Sequence, residues 1–305
     1  MDFNTDEITH KFPPFFQVHK DGRVERFIPS IFAPPTVDPQ TGVESKDVFI
    51  SSDTGVKARI FLPKINGPDH PTKLPLIVHY HLGAFCFGSA LSTATAGFLT
   101  RLVSGANAVA VSVDYRIAPE HPLPIAFHDS WSAFQWITTH SNGTGPDSWL
   151  NRYADFDRVF LLGESAGAAL AQYVAVRVGL EGMRVRGAGM VHPYFANHEL
   201  NPMMGVLYPG SSGTDLDSDP MLNPKADPDL DKMGCGRVLV VVAEKDELKA
   251  RGVEYCETLR KSGWKGEVEM VENEGEDHVF HMRNPESENA LALVKKLASF
   301  VNQSS

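Results

Sequence analysis

Five short stretches of the chain are apolar almost without interruption, Ser112 being the one polar residue among them, at residues 76–78, 109–113, 159–162, 188–191 and 238–242, with a weaker sixth at 268–271. Such runs do not alternate, so a strand built from one must be covered on both faces. Helical patterns lie between them. Phe127, Trp131, Phe134 and Ile137 share one spacing, residues 166–176 form a second, and residues 248–261 form a third that stops at Gly263. A last helix, over residues 285–301, sets Ala290, Leu293, Leu297 and Val301 on one face, with Pro285 near its start. Continuously apolar strands alternating with amphipathic helices imply an α/β fold: a mostly parallel sheet flanked by helices. Ahead of it, Val56, Ala58, Ile60 and Leu62 alternate with Lys57 and Arg59, the pattern of a half-exposed antiparallel strand.

Two stretches break the rhythm. The region up to about residue 45 is rich in Pro and Phe, and a Lys20-Asp21-Gly22-Arg23 turn between residues 16–18 and 24–27 fits a small hairpin. Residues 193–234 are dense in Pro, Gly, Asp and Asn and hold no strand pattern. An excursion of that length inside a compact fold is usually functional. The expectation is one α/β domain over residues 1–305, with residues 1–45 and 193–234 forming a cap. That cap would sit over the carboxyl ends of the strands, where open α/β sheets bind ligands.

Composition narrows the partners. Three cysteines, Cys86, Cys235 and Cys256, are too few and too far apart for a disulfide framework or a CxxC metal site. A net charge of −10 argues against nucleic acid or an anionic membrane. Residues 1–10 are polar and acidic, unlike a signal or transit peptide, and no run of 18 apolar residues exists to span a bilayer. A cytoplasmic, soluble chain is expected, so the sequons at Asn142 and Asn302 are read as idle. No unpaired apolar helix face stands out, and no obligate protein partner is expected.

The chemistry centres on Gly163-Glu164-Ser165-Ala166-Gly167, a G-x-S-x-G pentapeptide. It follows one apolar run directly and opens a helix rich in Ala and Val, the strand–turn–helix setting of a nucleophile elbow. A serine hydroxyl needs a base to take its proton, and that base needs an orienting acid. After later strands, Asp246 qualifies as the acid and His278 as the base. Glu244 and Glu247 compete with Asp246, and His281 competes with His278. The oxyanion formed on attack needs backbone donors, and Gly83 and Ala84, in the loop after residues 76–78, fit together with the N–H of Ala166. His81 is read as bracing that loop. His79 and His81 could share a metal only with a third ligand, and none lies at matching spacing, so no metal is expected.

These residues resemble a known group. The chain is similar to plant carboxylesterases of the hormone-sensitive-lipase-like branch of the α/β-hydrolases, a branch that includes 2-hydroxyisoflavanone dehydratases and gibberellin receptors. The resemblance runs through FFQVHKDGRVERF (16–27 with its flank), PQTGVESKDV (39–48), VDYRIAPEHPLP (113–124), ADFDRVFLLGESAG (154–167), RVLVVVAEKDELKARG (237–252) and GEDHVF (275–280). It implies an α/β-hydrolase fold capped by the N-terminal arm and an insertion, with nucleophile Ser165, acid Asp246, base His278 and no cofactor. One departure stands out. The family's oxyanion loop usually reads His-Gly-Gly followed by Gly or Ala, and this chain has His81-Leu82-Gly83-Ala84. Leucine adopts a positive φ only at a cost, so Leu82 is expected either to reshape the loop or to protrude into the pocket.

The function this implies is a serine carboxylesterase that hydrolyses a carboxylic ester of a small plant metabolite through an acyl-enzyme. An alternative keeps the pocket and changes the reaction: a dehydratase or cyclase, or a methyl-ester hydrolase whose alkaloid or isoflavonoid product decarboxylates. A non-catalytic hormone receptor is a third, less favoured reading, because receptor relatives lose the base and His278 is retained.

Overall fold

A computed structural model describes residues 6–65, 73–195, 201–209 and 216–303 of the chain. Residues 1–5, parts of the 193–234 stretch and Ser304 of the second sequon lie outside the described residues.

The N-terminal arm folds as an antiparallel sheet of β1 (Ile8–Phe12), β2 (Phe16–His19) and β3 (Val24–Arg26), with β2 in the middle. The Lys20–Arg23 turn does join a hairpin, and β1 adds a strand the composition had hidden. The main body follows in chain order: β4 (Glu44–Phe49), β5 (Lys57–Leu62), β6 (Leu74–Tyr80), α1 (Thr93–Ala106), β7 (Val109–Asp114), α2 (Ile125–Thr138), α3 (Ser148–Tyr153) and β8 (Ala154–Glu164). It continues with α4 (Ala166–Leu180), β9 (Gly187–Val191), α5 (Asn201–Leu207), β10 (Arg237–Ala243), α6 (Lys249–Lys261), β11 (Glu267–Asn273), α7 (Phe280–Arg283) and α8 (Glu288–Asn302).

The larger sheet has eight strands in the order β11-β10-β9-β8-β6-β7-β5-β4. Pairing is parallel from β11 through β7, and antiparallel where β5 meets β7 and β4. Apolar residues on the two sides of the sheet form separate cores. One packs α2, α4 and α6 against the sheet and includes Phe127, Leu170, Val174 and Leu259; the other packs α1 and α8 and includes Leu99, Leu102, Leu293 and Leu297. Both faces of the sheet are therefore covered, which is why its central strands need uninterrupted apolar residues. Strand β11 is an edge with no fully buried residue, and its weaker run reflects that.

Strand β5 corrects one expectation. It is buried almost throughout, because both its faces are covered: Ala58, Ile60 and Leu62 belong to one core of the sheet and Phe61 to the other. Arg59, read as a solvent-facing residue, is 1% exposed. Its guanidinium is held by both oxygens of Asp47, at 2.7 and 2.9 Å, and by the carbonyl of Ala33 at 2.8 Å. The last helix starts later than the sequence suggested, where the Ser287 hydroxyl accepts the Ala290 N–H and caps it. All three cysteines are buried and unpaired. Among the described residues no helix is long and apolar enough to cross a membrane.

The chain leaves β6 for β7 on one side and returns to β8 on the other. This reversal opens a crevice at the carboxyl ends of the central strands. The loops after β6, β8, β10 and β11 all end there.

Candidate active site

Ser165 occupies the turn between β8 and α4 with φ 53° and ψ −119°. A side-chain-bearing residue in that region costs about 1–3 kcal/mol and persists only where its surroundings hold it. Here the Ser165 N–H donates to Val191 O, and its carbonyl accepts from Tyr194 N and Ala168 N. The flanking glycines are required by close approach. A Cβ on Gly163 would collide with the backbone of Gly167 and Ala168, and one on Gly167 would run into the carbonyls of Tyr80 and His81. Strand and helix can therefore close beneath the serine only with glycine at both positions.

His278 follows β11, and Asp246 follows β10. The His278 Nδ1–H donates to Asp246 Oδ2 at 2.8 Å, which leaves Nε2 to accept from the Ser165 hydroxyl at 2.9 Å. Asp246 Oδ1 accepts the Leu248 N–H at 2.8 Å. Burial pushes the Asp246 carboxyl up, but the hydrogen bond and charge of His278, with the Leu248 N–H, outweigh it and hold it below the usual carboxylate range. The competing residues have other roles. Glu244 accepts the Gly275 N–H at 2.7 Å and so ties the two loops together. Glu247 stands exposed at the cavity mouth. His281 is buried in the first turn of α7, 5.1 Å from the Phe98 ring, and makes no bond to Ser165.

After β6, the backbone turns through three left-handed residues, Gly83 (φ 137°), Ala84 (φ 48°) and Phe85 (φ 61°). Among the described residues the N–H groups of Gly83 and Ala84 have no acceptor, and the Ala166 N–H opens helix α4. His81 braces this loop. Its ring stacks on Tyr115 with centroids 4.1 Å apart, Nδ1–H donates to Leu82 O at 2.7 Å, and the Tyr115 hydroxyl donates to the His81 carbonyl. Burial holds the His81 pKa below its ordinary value. Leu82 itself avoids positive φ, and its side chain projects into the cavity wall, so the second of the two expectations for it describes the structure. Arg26, from β3, donates to Cys86 O at 2.6 Å and to Ala118 O at 3.1 Å, which moors the N-terminal arm to this loop.

Two features escaped the sequence reading. His192, just past β9 and 1% exposed, accepts the Val279 N–H on Nδ1 at 2.9 Å. It thereby supports the left-handed Val279 (φ 48°) directly after His278. Burial, with His281 and His278 nearby, pulls its pKa to about 3. Its place at the end of a strand on this rim was the available signal. Beneath Ser165, the fully buried Glu164 accepts from His79 Nε2 at 2.9 Å, while His79 Nδ1 meets the Ser112 hydroxyl at 2.8 Å. His79 is therefore committed to an internal network.

Ligand atoms of His192, Asp246 and His278 lie within 4.8 Å of one another, the one such grouping among the described residues. Those of Asp246 and His278 are spent on each other and on Ser165, a hydrogen-bonded row rather than a metal cradle. The cavity above that row has a volume of about 370 Å³ and is walled by Phe15, Leu82, Phe87, Tyr194, Leu248 and Arg283. A larger open groove of about 500 Å³, near Lys225 and Glu254, is lined by exposed ion pairs and lies away from the serine.

A family model described as the α/β hydrolase fold matches residues 77–282. The chain is 42% identical to a 2-hydroxyisoflavanone dehydratase of Glycyrrhiza echinata, covering 97% of this chain and 96% of the relative. It is 40% identical to "Probable carboxylesterase 1" of Arabidopsis thaliana, over 97% and 98% of the two chains. Among solved structures, a hyperthermophilic esterase from Pyrobaculum calidifontis superposes with a TM-score of 0.69 at 25% identity, over 85% of each chain.

Proposed function

Because the chain belongs to the α/β-hydrolase family, among its plant carboxylesterase-like members, we propose that it is a carboxylic ester hydrolase working through Ser165, His278 and Asp246. The observation that carries this reading is the unbroken row from Asp246 Oδ2 to His278 to Ser165 Oγ, with both links under 3 Å. As an ester enters, the Ser165 oxygen attacks its carbonyl carbon while His278 Nε2 takes the hydroxyl proton. Asp246 stabilises the imidazolium that results. The negative charge moves to the carbonyl oxygen, where the free N–H groups of Gly83 and Ala84 and the N–H of Ala166 can donate. The Ala166 N–H also brings the positive end of the fifteen-residue helix α4 to that oxygen. His278 then protonates the departing alcohol, and water activated by the same nitrogen releases the acid.

The described parts of residues 1–45 and 193–234 serve as the cap of one domain. Phe15 and Tyr194 in the cavity wall, and the Arg26 mooring, support this. The three unpaired cysteines suit a cytoplasmic setting, and a small plant metabolite suits the cavity volume. Trapping with a fluorophosphonate tests the mechanism. One phosphonyl group should add to Ser165 in the folded protein, and Ser165→Ala should lose both labelling and turnover. Turnover that survives Ser165→Ala refutes it.

A second reading is favoured by the 42% identical dehydratase relative. Here the same loop polarises a carbonyl while His278 moves protons in an elimination or cyclisation, with no acyl-enzyme. Brisk, Ser165-dependent cleavage of p-nitrophenyl acetate selects the esterase. Absence of cleavage by folded protein selects the alternative.

A further inference from the structure

A second cavity of about 230 Å³ lies beside the one that holds Ser165, and Leu82 and Phe87 belong to the walls of both. It is roofed by the arm at residues 28–31 and floored by the start of α1. The roof is fastened in place: Thr93 N–H donates to Ile31 O at 2.8 Å, and Ala33 N–H to Leu91 O at 3.1 Å. Of the hydroxyls that line it, those of Ser92 and Thr95 are held in the cap of α1, and those of Ser30 and Thr93 stand in a wall otherwise built of Ile28, Pro29, Ile31, Leu82, Phe87 and Met282, so the cavity is mainly apolar. Ile28 and Ile31 are nevertheless exposed, Ile31 to 66%. An apolar cavity of about 150 Å³ accepts a benzene ring, so this one has room for a ring and a substituent.

The two shared side chains are not equally held. Phe87 stacks on Phe15 with centroids 5.8 Å apart and packs against the larger core. Leu82, half-buried, is packed into neither core. The backbone between them is a closed turn in which Cys86 and Phe87 N–H both donate to Gly83 O, and a Cβ at Gly88 would strike Leu82 O. The thickness of the partition therefore depends on side chains, and Leu82 is the one free to turn.

We propose that Leu82 is a specificity-determining partition, and that the second cavity receives a bulky apolar group, of ring size, carried by the substrate ester. This rests on the ester-hydrolase reading and names its substrate class: esters pairing a compact group at Ser165 with an aromatic or branched apolar group under the arm.

The test compares kcat/KM for p-nitrophenyl 4-phenylbutyrate with that for p-nitrophenyl acetate, and for 2-naphthyl acetate with phenyl acetate, so that either side of the ester can report. Each methylene newly accommodated is worth about fourfold. In at least one pair Leu82→Ala should raise the bulky-to-compact ratio about fourfold or more, Leu82→Phe should lower it comparably, and Ile31→Asp should lower it about tenfold. Ratios unchanged in all three folded variants overturn the proposal and leave the esterase reading intact. Should the wild type cleave none of these esters, binding of the phenylbutyrate ester to Ser165→Ala decides. A Kd weakened about tenfold by added Ile31→Asp upholds the cavity, and an equal Kd overturns it.

Discussion

Replacing Asp246 by Asn tests the proposed mechanism at its least exposed member, whose side chain is 1% accessible. Asn can keep the Leu248 N–H bond through its oxygen, which turns its amide N–H₂ toward His278 Nδ1. Two losses follow. The first is the charge: a carboxylate about 4 Å from the centre of a developing imidazolium is worth about 4 kcal/mol at an effective dielectric of 20. That is roughly a thousandfold in rate. The second is the tautomer. An N–H facing Nδ1 forces the imidazole proton onto Nε2, which then donates to Ser165 Oγ and can no longer accept from it. With about tenfold for that reversal, kcat should fall about 10⁴-fold, the size such a change has in serine proteases. Steady-state hydrolysis of p-nitrophenyl acetate measures the loss, with circular dichroism and thermal melts to show an intact fold. Glu244→Gln serves as the comparison, since that side chain only ties the two loops and should cost far less. A fall in kcat under tenfold for Asp246→Asn would refute the assignment of the acid.

Other outcomes follow from the same structure. His79→Leu leaves the fully buried Glu164 carboxyl without its hydrogen-bond donor and should destabilise the protein by about 1–3 kcal/mol, read from urea unfolding; no measurable loss would show that the pair is dispensable. His192 and His281 should make the fold acid-sensitive. Their pKa values in the folded protein lie at about 3 and about 4, below the ordinary 6.5, so between those values the unfolded chain binds more protons. Stability is then level above pH ~6.5 and falls as pH drops, by about 2 kcal/mol per histidine at pH 5. His281→Phe, which leaves no hydrogen-bond partner behind, should roughly halve that slope, and an unchanged slope would count against it. His192→Phe strips the Val279 N–H of its acceptor and should depress kcat about tenfold with little change in KM, whereas His192→Asn, which can still accept, should recover most of it.

Much of the architecture was legible one-dimensionally because burial on both faces leaves no choice of residue. The runs at 109–113 and 238–242 read as strands covered on both faces, and β7 and β10 are interior strands of the sheet. The pentapeptide around Ser165 was equally readable, since two glycines at that spacing answer a local steric demand. Legibility failed where a residue's environment comes from distant chain. Arg59 looked solvent-facing because its lysine neighbour is polar, yet Asp47 and the carbonyl of Ala33 make its burial affordable. Glu164 read as the variable position of a motif and turned out to be half of a fully buried hydrogen-bonded pair with His79. α1 went unremarked because its first turn, Thr-Ala-Thr-Ala-Gly, carries no apolar stripe.

The amino-acid order alone determined the strand and helix types, the elbow at Ser165 and the shortlist of acids and bases, because these depend on side-chain volume, polarity and short-range sterics. Only the tertiary structure put Asp246 and His278, rather than Glu244 and His281, in a hydrogen-bonded row with Ser165, set His192 against the residue after His278, and placed Leu82 between two cavities. Those choices turn on hydrogen-bond distances between residues as many as 113 positions apart. No local propensity encodes such distances; the packing of loops at one end of a twisted sheet does.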